Sequence, residues 1–185
     1  MCSSDLLDID HVPTKLCIVG AGVIGMEFAA AFSTFGSEVT VIEFLKECLP
    51  PIDSDIAKRL RKQLEKKGVK FYLQAGVKHI ENGNVTFERK GKEETILADT
   101  VLIATGRAAN IEGLGLEAAG IEVDRKGIVV DEHFCTNVKN IYAIGDVNGK
   151  QMLAHAAEFQ GYHVLNQILG HSDHINFQIM PSARS

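Results

Sequence analysis

The sequence predicts an α/β fold: a parallel sheet wound with helices and interrupted once by an antiparallel meander. Three observations carry this. Four short runs read as strands: Lys15–Val19, apolar and buried on both faces, Glu38–Phe44, Val69–Leu73, which alternates, and Val101–Ala104, again buried. The first three are separated by segments with helical spacing of apolar residues. Between the third and the fourth, the dipeptides Asn82-Gly83 and Lys90-Gly91 mark two hairpin turns.

Lys15–Val19 is closed by Gly20, and Gly22–Phe35 then carries Ile24, Phe28 and Phe32 at i, i+4, i+8, so a helix is expected to bury that stripe. Gly36 ends it. The next strand owes its bulk to Val39, Val41 and Ile42. Leu45–Ile52, with Pro50-Pro51, reads as a loop. Asp53 or Ser54 is placed to cap a second helix with Ile56, Leu60 and Leu64 inward and Lys58, Arg59, Arg61 and Lys62 on a solvated outer face. Gly68 stops it. The meander is expected from Val77–Ile80, Val85–Glu88 and Thr95–Leu97.

Beyond Arg107 the pattern loosens. Short strands are expected around the Asp124–Gly127 turn, at Ile121, Val123, Ile128 and Val130, and a further buried strand at Asn140–Ile144, leading into Gly145-Asp146. Met152–Leu169 predicts a helix with Leu153, Ala157, Val164 and Ile168 on its apolar side, stopped by Gly170. His163, His171 and His174 lack metal-ligand spacing and read as surface residues.

The 185 residues fit one domain or two small ones, and 45% apolar with 23% charged residues is ordinary globular composition. A net charge of −5 disfavours nonspecific nucleic-acid binding. The longest apolar stretch, Cys17–Phe32, is broken by Glu27 and three glycines, so a membrane span is not expected. The acidic start shows no signal peptide. Cys2, Cys17, Cys48 and Cys135 form no CxxC pair. A cytoplasmic protein with reduced thiols is expected, Cys17 behaving as a small buried hydrophobe.

Gly20-Ala21-Gly22-Val23-Ile24-Gly25 fits GxGxxG, a weak signal alone. Here it follows a strand, opens a helix, and is answered by Glu43, 21 residues after Gly22 and close to the roughly 20 that dinucleotide sites show. Gly20 would permit the tight turn, Gly22 the approach of a pyrophosphate, and Gly25 close packing of the helix. The helix amino terminus would offer N–H groups to phosphate. A tight βα turn would also use these glycines, but it leaves Glu43 unexplained. Glu43 is suited to accept from the adenosine ribose hydroxyls and to repel a 2′-phosphate, and Ile42–Leu45 holds no arginine to neutralise one. NAD is therefore expected over NADP. Glu27 is either an exposed helix position or a polar contact for the nicotinamide end.

In order along the chain stand GAGVIGME (Gly20–Met26-Glu27), ATGR (Ala104–Arg107), IYAIGDV (Ile141–Val147) and MLAH (Met152-Leu153-Ala154-His155), the last followed by Ala157, Glu158 and Gly161. Over about residues 3–183 this series resembles the pyridine-nucleotide disulfide oxidoreductases. The MLAHxAExxG form is most similar to their dihydrolipoamide (dihydrolipoyl) dehydrogenase branch.

That resemblance implies a Rossmann-like NAD-binding domain at 12–106, whose crossover is the β-meander, and the second segment of an FAD-binding domain at 107–183. It implies Val77 beside the adenine and Gly106 where backbone nears NAD. It also implies Asp146 on the flavin ribityl chain and Met152–His155 against the flavin. A parent homodimer within a 2-oxoacid dehydrogenase complex follows from it, passing electrons from dihydrolipoamide through a disulfide and FAD to NAD. The family's first FAD segment, its redox CxxxxC and its dimerisation domain are not in this sequence. The chain is expected to be an excised piece, inactive alone and without catalytic residues of its own. Two other readings stand beside this one. An NADH oxidase or mercuric reductase type of flavin reductase is opposed by the Met152–Gly161 segment. A non-enzymatic NAD(H)-sensing module lacks a visible effector domain.

Overall fold

The computed structural model describes Leu6 and residues 8–181; Cys2 and residues 182–183 of the expected second segment lie outside them. The chain divides into two compact units at Gly106/Arg107.

In the first unit, β1 (Lys15–Val19), α1 (Val23–Thr34), β2 (Glu38–Glu43), α2 (Ser54–Lys66), β3 (Lys70–Leu73) and β7 (Thr100–Ile103) build the expected α/β layer. The sheet runs β3-β2-β1-β7, with every neighbour parallel. Between β3 and β7 lies a separate antiparallel sheet of β4 (Ala75–Glu81), β5 (Asn84–Arg89) and β6 (Lys92–Leu97). Its turns have positive φ at both central residues, 49° and 79° at Asn82-Gly83 and 52° and 73° at Lys90-Gly91, the geometry that matches the twist of paired strands.

Each face of the parallel sheet has its own cover. Leu16, Ile18, Val39, Val41 and Leu102 pack with Met26, Ala29 and Phe32 of α1 and Ala57 and Leu64 of α2. Cys17 and Ile42, pointing the other way, pack with Val85 and Phe87 of the meander. Full burial of one such aliphatic or aromatic side chain is worth about 1.5–3 kcal/mol. Burial also pushes the Cys17 thiol up to about 12, so it packs as an apolar group.

Several details differ from the sequence pattern. On α1 the buried stripe is Gly25, Met26, Ala29 and Phe32, with Ile24 and Phe28 half-buried. At Gly25 the helix comes so close that an added Cβ would stand 3.3 Å from Ile18 Cγ2 of β1. On α2, Ile56 is exposed, and Ala57 takes the inward place beside Leu64. Asp53 occupies the N-cap position without a side-chain capping bond. Arg61 is not on a solvated face. Its guanidinium grips Glu47 through Nε (2.7 Å) and Nη2 (3.1 Å) and Glu65 through Nη1, which ties the 44–52 loop to α2.

In the second unit, regular structure is sparse. The segments around the Asp124 turn form one bridge, Val123 to Ile128. The expected strand at 140–144 reduces to a single bridge from Tyr142 to Cys135, with Ala143 buried and Ile144 exposed. A strand needs a partner along its length, and none is present among the described residues. The helix α3 (Ala154–Leu169) begins two residues later than expected. It buries Ala156, Gln160 and Val164, while Ile168 is exposed. No helix among the described residues is long and apolar enough to cross a membrane.

Candidate functional site

The carboxyl ends of β1, β2 and β7 open into a cleft of about 600 Å³, where open α/β sheets hold ligands. Gly20, Gly22, Glu43, Val77 and Gly106 all line it, so five of the residues singled out in sequence meet in one place.

The three loop glycines do different work. Gly20 has φ of 103°, and a Cβ there would stand 2.5 Å from the Ala104 carbonyl oxygen, so the loop can pass the end of β7 only as glycine. A Cβ on Gly25 would fall on the Gly20 carbonyl oxygen, which fixes how closely α1 approaches the loop. Gly22 has open space where a side chain would be. It is also the N-cap of α1, no side chain caps that end, and no acidic residue stands in the first turn. The first N–H groups of a helix have no partner within it and carry partial positive charge, so this terminus suits an anionic group.

Glu43 has a role beyond the expected one. It is buried, with 7% of its surface exposed. Its Oε2 accepts from the Ala21 N–H at 2.6 Å and its Oε1 from the Leu45 N–H at 2.8 Å. The carboxylate thereby clamps the glycine loop to the end of β2. Each oxygen keeps a further lone pair for a hydroxyl donor.

The remaining loop residues are arranged around the cleft. Ala21 and Met26 are in the core, and Val23 packs against it. Ile24 is half-buried, Glu27 is exposed, and neither lines the cleft. Sequence reading missed Lys78, which lines the cleft beside Val77. The ladder of β4 with β5 slips between Val77 and His79, so Lys78 is a bulged residue. Its ammonium lies 3.0 Å from Glu88 Oε2, on the strand face opposite Val77 and Phe87, and no pattern in the sequence announces the bulge.

In the second unit, Asp146 lies in a 3-10 turn, Gly145–Asn148, half-buried and 3.8 Å from Arg107. The turn is held from below by Gln160, which is 1% exposed and whose Oε1 accepts from the Gly145 N–H (2.8 Å) and from Asn148 Nδ2 (2.9 Å). A polar residue on the stripe between Ala157 and Val164 was the available signal for this network. Met152, Leu153 and His155 are half-buried and Ala154 is exposed. His155 Nε2 lies 2.7 Å from the Pro181 carbonyl oxygen and, facing an acceptor, donates. His163 is not a free surface residue: its Nδ1 is 3.0 Å from Asp173, and His133 Nδ1 approaches its Nε2 at 3.3 Å. No group of metal-ligating side chains is found among the described residues.

Residues 2–161 match the family model described as pyridine nucleotide-disulphide oxidoreductase, and the chain belongs to that family. Members of this family use FAD and NAD. The chain is 45% identical over 172 residues to a dihydrolipoyl dehydrogenase of Acholeplasma laidlawii, covering 92% of this chain and 51% of that protein. It is 40% identical over 185 residues to a dihydrolipoyl dehydrogenase of Chlamydia trachomatis, covering 98% and 39%. Among solved structures it resembles the HOCl-induced flavoprotein disulfide reductase RclA of Escherichia coli, with TM-score 0.84, 34% identity, and coverage of 94% and 40%. The chain thus spans from about two fifths to half the length of these relatives.

Proposed function

We propose that residues 12–106 are the NAD(H)-binding domain, and residues 107–183 the second segment of the FAD domain, of a flavoprotein that oxidises dihydrolipoamide with NAD. The observation that carries this reading is Glu43 clamped to the Ala21 amide in a cleft that also holds the open Gly22 and the uncapped start of α1. In it, Gly22 and the amides of Val23, Ile24 and Gly25 take the pyrophosphate. Glu43 accepts from the ribose hydroxyls, Val77 lies under the adenine, and Gly106 lets the chain approach the nicotinamide half.

For FAD, the fit rests on Asp146 at the mouth of the braced turn and on Gln151 Oε1, a buried acceptor without a partner in the structure, next to Met152. Asp146 would accept from the ribityl chain, with Met152, Leu153, Ala154 and His155 against the ring. The flavin supplies the hydride and electron transfer when bound. The chain's own contribution is to hold and orient the two cofactors. The relatives named dihydrolipoyl dehydrogenase favour a parent that is a homodimeric component of a 2-oxoacid dehydrogenase complex. Cys17, Cys48 and Cys135, all unpaired, fit a reducing compartment such as the cytoplasm.

Calorimetry tests the first assignment. NADH is expected to bind the chain, and Glu43→Ala to weaken it by about tenfold or more through loss of charge-assisted bonds and of the loop clamp. Absence of NADH binding to the unaltered chain would overturn the reading. Dihydrolipoamide:NAD turnover by the pure chain with added FAD is expected to equal the no-protein control, because no CxxxxC is present.

A further inference from the structure

Residues 173–181 meet three polar side chains of residues 151–163, and meet each with an acceptor. The Asp173 carboxylate is 3.0 Å from His163 Nδ1. The Phe177 carbonyl is 3.3 Å from Gln151 Nε2, and the Pro181 carbonyl 2.7 Å from His155 Nε2. A carboxylate or a carbonyl can only accept, so the facing nitrogen must carry the proton.

That requirement decides how each side chain is turned. His163 carries its proton on Nδ1, and its Nε2 accepts from His133 Nδ1 at 3.3 Å. The two ring planes differ by 11° and the centroids are 5.6 Å apart, so the rings lie edge to edge, as an N–H···N bond needs. Gln151 turns its amide nitrogen to Phe177, which leaves Oε1 as the buried atom without a partner. His155 donates from Nε2, and in the neutral ring Nδ1 is then a bare acceptor. Both ends of the 151–155 stretch therefore offer acceptors, which suit a group that donates, such as a hydroxyl or an imide N–H.

The start of the 173–181 segment is well held. Asp173 also accepts from Asn166 Nδ2 at 3.3 Å and from the Ile175 N–H at 3.2 Å. The side chains of His163 and Asp173 are 16% and 13% exposed. Four residues on, the Phe177 ring stands edge-on to Phe134 and His163, with centroids at 4.8 Å and 5.5 Å. One polar and one aromatic contact thus pin the stretch that precedes the two carbonyls.

We propose that residues 173–181 are a positioning strap. The His163–Asp173 contact clasps it, and through it fixes the hydrogen-bond polarity of Gln151 and His155, so that Met152–His155 is flanked by acceptors for a donor-bearing ligand, the hydroxyls or the imide N–H of a flavin. His163 and Asp173 are positioning residues and act only through the strap. The identity of the ligand rests on the flavin reading of this segment; the strap does not.

NMR of the isotope-labelled full chain tests this, because side-chain N–H protons resist exchange with water only while they are bonded. The Gln151 Nε2 and His155 Nε2 protons are expected to be protected in the unaltered chain. Asp173→Ala should remove the protection of both, and so should His163→Leu, which keeps apolar bulk beside Phe134 and Phe177. His163→Gln still donates to Asp173 and should retain it. FAD is expected to move the Gln151 and His155 signals, and to bind Asp173→Ala about three- to tenfold more weakly, the scale of one or two hydrogen bonds. Unprotected protons in the unaltered chain, protection that survives Asp173→Ala and His163→Leu, loss in His163→Gln as complete as in His163→Leu, or equal FAD binding with and without Asp173 would each overturn the strap. Protection that follows the variants as stated, while FAD up to about 1 mM moves neither signal, would defeat the flavin reading and leave the strap standing.

Discussion

The two units are held together by different physics. In residues 8–106 apolar side chains form two continuous clusters, one on each face of a four-stranded sheet. In residues 107–181 there is no comparable cluster. Ile128, Phe134, Ala143, Ala156 and Val164 are buried, but Phe159, Tyr162, Leu165 and Leu169 stand exposed on α3. What organises this unit is side chains bonded to backbone. Asp131 Oδ1 accepts from the amides of His133 and Cys135, Asp124 Oδ1 from those of Lys126 and Gly127, and Gln160 braces the Gly145 turn. A sheet closes its own backbone bonds and frees its side chains for packing. A loop-rich unit must use side chains to satisfy its backbone.

That contrast predicts where a single atom matters most. Gly25→Ala puts a methyl group on the Gly20 carbonyl, in the tightest contact of the first unit, and neither backbone can give way without moving α1 off the sheet. The cost should be about 3 kcal/mol or more. Thermal unfolding should show the loss, and NADH binding should vanish with it. Gly22→Ala meets open space and should leave the fold intact, weakening only the nucleotide. Equal destabilisation by the two would break the distinction between a packing glycine and an approach glycine.

In the second unit the equivalent lesion is polar. Gln160→Leu keeps the volume but strips the Gly145 amide of its acceptor and Asn148 Nδ2 of one of its two, leaving it only the Ala143 carbonyl. The cost should be about 2 kcal/mol, because an unmade buried hydrogen bond costs more than a made one contributes. Hydrogen exchange should rise across residues 143–164, with 15–106 unchanged. Spread of the effect into the parallel sheet would show that the units do not unfold separately.

The same contrast explains what could be read in sequence. The strands and helices of the first unit, the α/β class and the meander were legible because β-branched runs, helical stripes and Asn-Gly turns are local signals. The glycine loop and Glu43 were legible because strand, turn and acid come at a spacing set by one βαβ unit. The bulge at Lys78 was not, since it inserts a residue into the β4–β5 ladder without changing composition. Arg61 was not, since its partner Glu47 lies in a loop that a helical wheel does not contain. The 140–144 run looked like a strand because apolar content was visible and the lack of a pairing neighbour was not. Gln160 was not legible, since its partners Gly145 and Asn148 lie in a separate turn that helical spacing does not locate.

The smallest expected effect compares one carboxylate from each unit. Glu47 is held below the usual carboxylate range chiefly by its hydrogen bonds from Arg61, and Asp173 by its hydrogen bond from His163. Each also accepts from a reporter amide: Cys48 N–H to Glu47 Oε1 at 3.0 Å, and Ile175 N–H to Asp173 Oδ1 at 3.2 Å. A depressed carboxylate stabilises the fold above its unfolded value, about 4 for both residue types, and the contribution is lost as pH falls through the lower folded value. Both amide resonances should therefore titrate with midpoints below about 4. Arg61→Met should return the Cys48 midpoint toward the ordinary carboxylate value. His163→Gln should shift the Ile175 midpoint only part of the way back, because a glutamine amide still donates to Asp173 while removing the positive charge. An Ile175 amide that titrates at or above the ordinary value in the unaltered chain would mean that the His163–Asp173 contact does not hold the 173–179 segment in solution.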